Sequence, residues 1–164
     1  MPGTLENLIV KDSGYGNGVY AGRAFHVGEE LLHFSGEFFN LAQVKVLRQT
    51  LPDYYLQIGP DLFVGPSGGM DDMFNHSCDP NAKINIQDRD VWLSALRDIA
   101  PGEQVCFDYS TMMCGDDETM ECGCGSPLCR GVIRDFPSLP KELQDHYIAL
   151  GAVPAHIVAF VQGK

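Results

Sequence analysis

The sequence predicts a mainly β domain of the α+β class, built from short strands with a few short helices. Short runs of β-branched and aromatic residues recur over the first two-thirds of the chain, and turn residues separate them. Helical periodicity is confined to one internal stretch and to the C-terminal end. The length of 164 residues suits one domain that buries a core of its own.

Eight segments have the composition and spacing of strands. The turn at residues 100–103, Ala-Pro-Gly-Glu, places Pro and Gly in the positions that a type II turn favours. The predicted strands are Leu8–Lys11, Gly18–Ala21, Glu30–Phe39, Tyr54–Gly59, Leu62–Gly65, Ala82–Gln87, Val91–Leu96 and Gln104–Tyr109.

One helix is predicted to interrupt the strands. Asn40 can cap a helix from Leu41 to about Thr50. Gln43 is its capping-box partner, and Pro52 ends the helix.

Two further helices are predicted near the C-terminus. Leu143, Tyr147 and Leu150 recur at helical spacing. Gly151 follows them at the usual stop position. A last short helix is predicted over Ala155–Val161, after a proline.

The charge of the chain argues against one class of partner. The net charge is −11, with 22 acidic and 11 basic residues. Nucleic-acid binders need positive charge to displace counterions from phosphates, so no direct nucleic-acid partner is expected. An acidic surface favours a basic partner such as a lysine-rich peptide, although the same charge is also explained by solubility alone.

The chain is expected to be soluble and intracellular, in the cytoplasm or the nucleus. Residues 1–10 lack the basic start and the long apolar run of a signal peptide. No apolar stretch approaches the roughly 18 residues that span a bilayer, so no membrane partner is expected.

Three of the six cysteines are spaced for a metal ion. Cys122, Cys124 and Cys129 form C-x-C-x4-C in a segment rich in Gly and Cys. Without a secretory signal, metal binding is favoured over disulfides, and three close thiols suit tetrahedral zinc. Cys114 and Cys78 are both candidates for a fourth ligand. The alternative is a set of buried free thiols.

Two further segments carry polar residues of functional type. Residues 74–81 read Phe-Asn-His-Ser-Cys-Asp-Pro-Asn, which could suggest a Ser/His or Cys/His nucleophile. Adjacent residues on a strand point apart, which argues against that interpretation. Residues 101–109 read Pro-Gly-Glu-Gln-Val-Cys-Phe-Asp-Tyr, and their structural alternative is a plain hairpin strand.

Taken together, these motifs resemble those of the SET-domain lysine methyltransferases. Residues 75–81 and 102–109 resemble the family's paired motifs, and residues 122–131 (Cys-x-Cys-x4-Cys-Arg-Gly) resemble its post-SET zinc motif. Residues 14–21 resemble its Gly-x-Gly-x-Gly-Val cofactor loop, and residues 32–37 its next strand. With the paired motifs counted as one, four motifs stand in the family's order.

The resemblance implies a SET-domain fold of several short β-sheets around a knot-like core. It divides the chain into a SET domain over residues 5–112 and a post-SET zinc segment over residues 113–133. A C-terminal helical extension would cover residues 134–164. One departure concerns Asp72, at a position where many family members carry Arg.

The resemblance also implies two bound groups. The fourth ligand of one structural zinc ion would be Cys78 rather than Cys114, and Cys106 would take no part. S-adenosyl-L-methionine would be the cofactor, although the glycines alone would equally suit a flexible hairpin turn. The implied cofactor-binding residues are Gly14, Gly16, Asn17, Gly18, Asn75, His76 and Tyr109; the implied zinc ligands are Cys78, Cys122, Cys124 and Cys129.

The implied reaction is methyl transfer to the side-chain amine of a lysine in a protein, on a basic histone or histone-like tail. Tyr109 would orient the amine and stabilise charge around the methyl group. Tyr55 would line the lysine channel, or else be an ordinary half-buried strand tyrosine. Phe107 would leave room for two or three methyl groups. The alternative function is a non-catalytic, zinc-stabilised SET-fold interaction module.

Overall fold

Short strands dominate the computed structural model, which describes residues 7–115 and 118–163. Within these ranges there are twelve strands and three α-helices, which confirms the mainly β prediction. The strands are β1 (Leu8–Asp12), β2 (Asn17–Ala21), β3 (Glu30–His33), β4 (Phe38–Phe39), β5 (Leu56–Gly59), β6 (Leu62–Val64), β7 (Asn75–His76), β8 (Ala82–Gln87), β9 (Asp90–Ala95), β10 (Cys106–Phe107), β11 (Met120–Glu121) and β12 (Val132–Ile133). The helices are α1 (Leu41–Leu47), α2 (Lys141–Ala149) and α3 (Ala155–Val161), with 3-10 turns at Met70–Met73, Tyr109–Met112 and Phe136–Ser138.

The strands form small sheets rather than one large one. Two three-stranded sheets have the orders β3-β9-β8 and β4-β6-β5, and three two-stranded sheets pair β1 with β2, β10 with β7, and β11 with β12. Among the described residues, only β10 and β7 pair in parallel. Parallel pairing joins segments that are distant in the chain, so this pair brings the two polar motifs together.

The predicted single strand over Glu30–Phe39 is wrong, because the chain leaves one sheet and enters another. β3 pairs with β9, and β4 pairs with β6. Gly36 lies between them with a φ of 124°, which residues other than glycine rarely adopt. A Cβ atom on Gly36 would lie 2.9 Å from the Cα of Gly65. The close approach of these two stretches of main chain therefore requires glycine at the point where the chain passes from one sheet to the other.

The predicted strand over Gln104–Tyr109 is shorter than expected. Only Cys106 and Phe107 pair as a strand, and a 3-10 turn begins at Tyr109. The Asp108 side chain accepts a hydrogen bond from the Ser110 backbone N–H at 3.0 Å. This cap stabilises the turn, so the ladder ends where the turn begins.

The capping box at the start of α1 is confirmed. The Asn40 side chain accepts a hydrogen bond from the Gln43 backbone N–H, and the Gln43 side chain accepts one from the Asn40 backbone N–H. The helix ends at Leu47, one turn before the predicted Thr50, although turn residues continue to that point.

The C-terminal helices occur where they were predicted, and the last has the predicted bounds. In α2, Tyr147 is buried as the helical spacing predicts. Leu150 is instead 40% exposed and caps the helix. No helix among the described residues is long and apolar enough to cross a membrane.

Two apolar clusters make up the core. The larger one collects side chains from the sheets and the loops between them, with Phe25, Leu31, Leu93, Ile99 and Val105 among its most buried members. The smaller one lies in the C-terminal part and contains Phe136, Leu139, Tyr147, Ala152 and Ile157.

Candidate functional site

The parallel pair of β7 and β10 places the two polar motifs side by side. Asn75 lies opposite Cys106, and His76 opposite Phe107. The Ser77 backbone N–H donates to the Phe107 carbonyl at 3.1 Å. These main-chain contacts fix the relative position of the residues that follow each strand.

Tyr109 follows β10 and is held at both ends. Its backbone N–H donates to His76 Nδ1 at 3.0 Å, and its hydroxyl donates to the Phe74 carbonyl at 2.6 Å. Burial raises the pKa of the Tyr109 hydroxyl, and nearby Cys106 adds to the rise. Tyr109 therefore stays a neutral hydrogen-bond donor at physiological pH.

His76 is a neutral imidazole whose two nitrogens have different partners. Burial lowers its pKa to about 4, because the lowering by burial exceeds the opposing effect of the Asp108 carboxylate. Since Nδ1 accepts the hydrogen bond from Tyr109, the proton lies on Nε2, which is 3.2 Å from the Cys78 sulfur. The 3.5 Å approach of His76 Nδ1 to Asp108 is consequently not an ion pair.

Asp108 connects this centre to the C-terminal part of the chain. Its two carboxylate oxygens accept one hydrogen bond each from Arg130 Nη2 and Nη1, both at 2.8 Å. The Tyr147 hydroxyl donates to Oδ2 at 2.7 Å. The sequence motifs contain Asp108 and Arg130 but indicate no pairing, and the spacing of Tyr147 indicates only apolar packing.

A cavity of about 870 Å³, counted with its open mouth, lies next to Tyr109. Tyr109, Phe107 and Tyr55 all line it, so the structure brings the three predicted catalytic residues to one cavity. Tyr55 packs edge-on against Phe39 with ring centroids 5.6 Å apart. Tyr54, which no sequence motif marks as functional, also lines it and is 53% exposed.

The walls of the cavity are apolar and aromatic, and carboxylates lie among the lining residues. The apolar residues include Phe34, Phe74, Met112 and Met113. The charged residues are Asp53, Asp71, Asp72, Glu118 and Arg48, and Arg48 pairs with Asp53 at 3.0 Å. Such a site suits a long aliphatic side chain that carries a positive charge at its end.

The glycine-rich segment contacts β7 at Asn75. Gly14 and Gly16 have φ of 85° and 87°, and a Cβ on either would meet no atom within 4 Å. A Cβ on Gly18 would lie 2.6 Å from Gln104 Oε1 and 3.1 Å from Asn75 Nδ2. Asn75 Nδ2 also donates to the Asn17 carbonyl at 3.1 Å. The positive φ therefore favours glycine at Gly14 and Gly16. At Gly18, glycine is favoured because neighbouring side chains leave no room for a Cβ atom.

Four cysteines converge at the end of β7. The sulfur atoms of Cys78, Cys122, Cys124 and Cys129 all lie within 4.8 Å of one another. The Cys78–Cys122 and Cys129–Cys122 sulfur distances are 3.7 and 3.6 Å. Sulfurs bound tetrahedrally to zinc at about 2.3 Å lie about 3.8 Å apart, so the donor set and spacing fit a zinc ion.

The remaining two cysteines lie outside this cluster. Burial raises the pKa of Cys106 to about 12, helped by the nearby Cys124 and Glu103. Burial also raises the pKa of Cys114, with Asp135 adding to the rise. Both are therefore ordinary thiols at neutral pH.

Comparison with known proteins identifies the family. A family model of the SET domain matches residues 16–110. Similar proteins include "Histone-lysine N-methyltransferase, H3 lysine-4 specific" of Cryptococcus neoformans, 31% identical over 130 residues, which cover 71% of this chain and 9% of that protein. Another is "Histone-lysine N-methyltransferase ASHH3" of Arabidopsis thaliana, 28% identical over 158 residues, 88% of this chain and 42% of that protein. The chain thus spans less than half the length of these relatives.

Solved structures agree on the fold. KRYPTONITE in complex with mCHG DNA and SAH has a TM-score of 0.63 and 22% sequence identity, covering 77% of this chain and 29% of that one. KRYPTONITE in complex with mCHH DNA, an H3(1-15) peptide and SAH has a TM-score of 0.61, 23% identity and the same coverage. Because the family model covers more than half of the chain and its two motifs meet at β7 and β10, the protein belongs to the SET-domain family.

Proposed function

We propose that this protein is an S-adenosylmethionine-dependent protein-lysine N-methyltransferase that acts on a basic, histone-like tail. The observation that carries the proposal is that Tyr109, Phe107 and Tyr55 line one cavity, while the cofactor-type glycine segment contacts Asn75 of the strand paired with β10. The names of the similar proteins and the SAH bound in the structural neighbours support it.

Two parts of the chain would hold the cofactor, which supplies an activated methyl group when bound. The glycine segment offers main chain without side chains at Gly14 and Gly16, so a ligand can approach closely. Asn17 and Gly18 bring this segment to Asn75. With His76 and Tyr109, these residues form the proposed cofactor site.

The reaction needs alignment more than acid–base chemistry. A lysine side chain in the apolar cavity would lose its proton more readily, because burial disfavours the charged amine. Tyr109 is fixed through His76 and Phe74, so it can orient the amine without reorganisation. Phe107 has no hydroxyl that would hold a water in the space for added methyl groups.

The carboxylates among the cavity residues favour a basic substrate. Asp71 and Asp72 already accept hydrogen bonds from the main chain of Ser35, Ser67 and Gly68. They are therefore positioned before any substrate arrives. Together with the net charge of −11, they would attract a lysine-rich tail.

The zinc ion would have a structural role. Four thiolates would leave no open coordination position, and Cys78, two residues after His76, would join the zinc segment to the end of β7. We also propose that the chain has three parts: a SET domain over residues 5–112, a zinc segment over 113–133 and a helical extension over 134–164.

The test is Tyr109→Phe, assayed for methyl transfer to an H3 tail peptide. Loss of one preorganised polar group should lower turnover on the order of 10²–10³-fold. Calorimetric titration with S-adenosylmethionine should give a binding constant close to that of the wild type. Near wild-type turnover in Tyr109→Phe would contradict the proposed role.

The comparison variant is Gly16→Val, which should weaken cofactor binding first. A side chain there would enter the open space beside the main chain, and its φ of 87° disfavours valine.

If the wild type bound the peptide without transferring methyl groups, the non-catalytic interaction module would replace the proposal.

A further inference from the structure

Asp108 is a buried carboxylate between two residues that face the cavity. Its side chain is 0% exposed, although Phe107 and Tyr109 flank it in the sequence. A buried ionised group is tolerated only when hydrogen bonds and opposite charge compensate it. The partners of Asp108 therefore decide how the main chain is held next to Tyr109.

Those partners come from three parts of the chain. The Ser110 N–H donates to Oδ1 at 3.0 Å, from within the same 3-10 turn. Arg130 of the cysteine-rich segment donates to both oxygens at 2.8 Å. The Tyr147 hydroxyl of α2 donates to Oδ2 at 2.7 Å. Two of the three partners lie beyond residue 110, where the family match ends.

Tyr147 is unusual among these partners because it also belongs to the second apolar cluster. It is 3% exposed and packs in the cluster that contains Phe136 and Ile157. Burial raises the pKa of its hydroxyl, and the Asp108 carboxylate adds to the rise. The hydroxyl therefore remains a donor at physiological pH, held by a packed ring.

We propose that Tyr147 is a positioning residue for the methyl transfer proposed above. Its hydroxyl orients the Asp108 carboxylate, which caps the turn that begins at Tyr109. The Tyr109 N–H in turn bonds His76. A helix outside the family match thus contributes to the alignment of the reaction centre, where small displacements lower the rate. This inference rests on the proposed function.

The competing explanation is that α2 only adds stability. A matched control separates the two explanations, because Gln144 is also buried on α2 and also makes polar contacts. Its side-chain amide donates to the carbonyls of Leu139 at 2.8 Å and Pro137 at 3.1 Å, rather than to Asp108. Gln144→Met should therefore weaken the extension without altering the cap of the turn.

The first measurement is steady-state methyl transfer to an H3 tail peptide by the wild type, Tyr147→Phe and Gln144→Met. Each is assayed well below the lowest melting temperature, with rates divided by the folded fraction. We expect Tyr147→Phe to lower kcat about tenfold, equivalent to about 1.4 kcal/mol. The peptide KM should be unchanged, because Tyr147 bonds Asp108 and neither residue lines the cavity. Gln144→Met should keep the wild-type kcat.

The second measurement does not depend on activity. The backbone amide resonance of Tyr109 should shift in Tyr147→Phe, because the cap of its turn loses one anchor, and stay in place in Gln144→Met. A wild-type kcat with an unmoved Tyr109 resonance in Tyr147→Phe would overturn the inference. If the wild type transferred no methyl groups, the proposed function would fail. The Tyr109 amide resonance alone would then show whether Tyr147 positions the turn that begins at Tyr109.

Discussion

The sheets before residue 110 and the segment over residues 118–133 are held together by different forces. The sheets share a large cluster of buried apolar side chains. In the segment, only Ile133 is buried, and its one strand pair joins two residues from each strand. Three of its cysteine sulfurs converge instead with that of Cys78, which lies at the end of β7. One region therefore depends on hydrophobic burial, and the other on the metal that its cysteines would bind.

Removal of zinc should have the largest effect, in the second region and around Cys78, the one ligand from the first region. Structural zinc contributes about 10–16 kcal/mol in small zinc-binding peptides. With a chelator, the Cys122 and Cys129 amides should lose their protection from hydrogen exchange, since only short loop hydrogen bonds hold them. Amides between β8 and β9 should stay protected.

The cysteine variants test the same point without a chelator. Cys78→Ser should lower the zinc content measured by atomic absorption, because it removes one thiolate of the cluster. Cys114→Ser should leave it unchanged. Release of zinc by Cys114→Ser together with retention by Cys78→Ser would show that the ligand set is different.

A pair of leucine variants should give the next largest effect. Leu31 is 0% exposed in the main cluster, and Leu128 is 63% exposed in the cysteine-rich segment. Leu31→Ala should lower the free energy of unfolding by about 2–5 kcal/mol, because a cavity forms. Leu128→Ala should change it by less than about 0.5 kcal/mol. Urea unfolding of the zinc-loaded protein measures both, and equal losses would contradict the division of forces.

The smallest effect should come from polar contacts between β3 and β9 on the surface of the β3-β9-β8 sheet. A hydrogen bond to Asp90 raises the pKa of His33, against the opposing effect of burial, and Glu30 adds to the rise. The stabilisation is complete below the unfolded pKa of about 6.5 and is lost as pH rises through the higher folded pKa. Because these groups are half exposed, its size should be a few tenths of a kcal/mol.

The measurement compares urea unfolding of the wild type and His33→Gln below about pH 6 and above about pH 8. The difference between the two proteins should be larger on the acidic side. Any pH effect on the zinc site is common to both and cancels. A difference that grows towards alkaline pH would contradict the assigned direction.

Local features of this protein were predictable from short stretches of sequence. The capping box of Asn40 and Gln43 and the bounds of α3 follow from residues a few positions apart. The order of the short motifs indicated the family, because each motif segment is contiguous in the sequence. Hydrogen bonds within one turn and the periodicity of a helix need no information about distant residues.

The tertiary structure decided which distant residues meet. It divided the expected strand at Gly36, because main chain passes close to Gly65. It placed the sulfur of Cys78, one of two candidates for the fourth ligand until the family resemblance favoured it over Cys114, beside that of Cys122. It joined Tyr147 to Asp108, a pairing that helical spacing cannot reveal. Long-range contacts depend on how separate segments pack together, and the periodicity of one segment does not indicate which other segment it will contact.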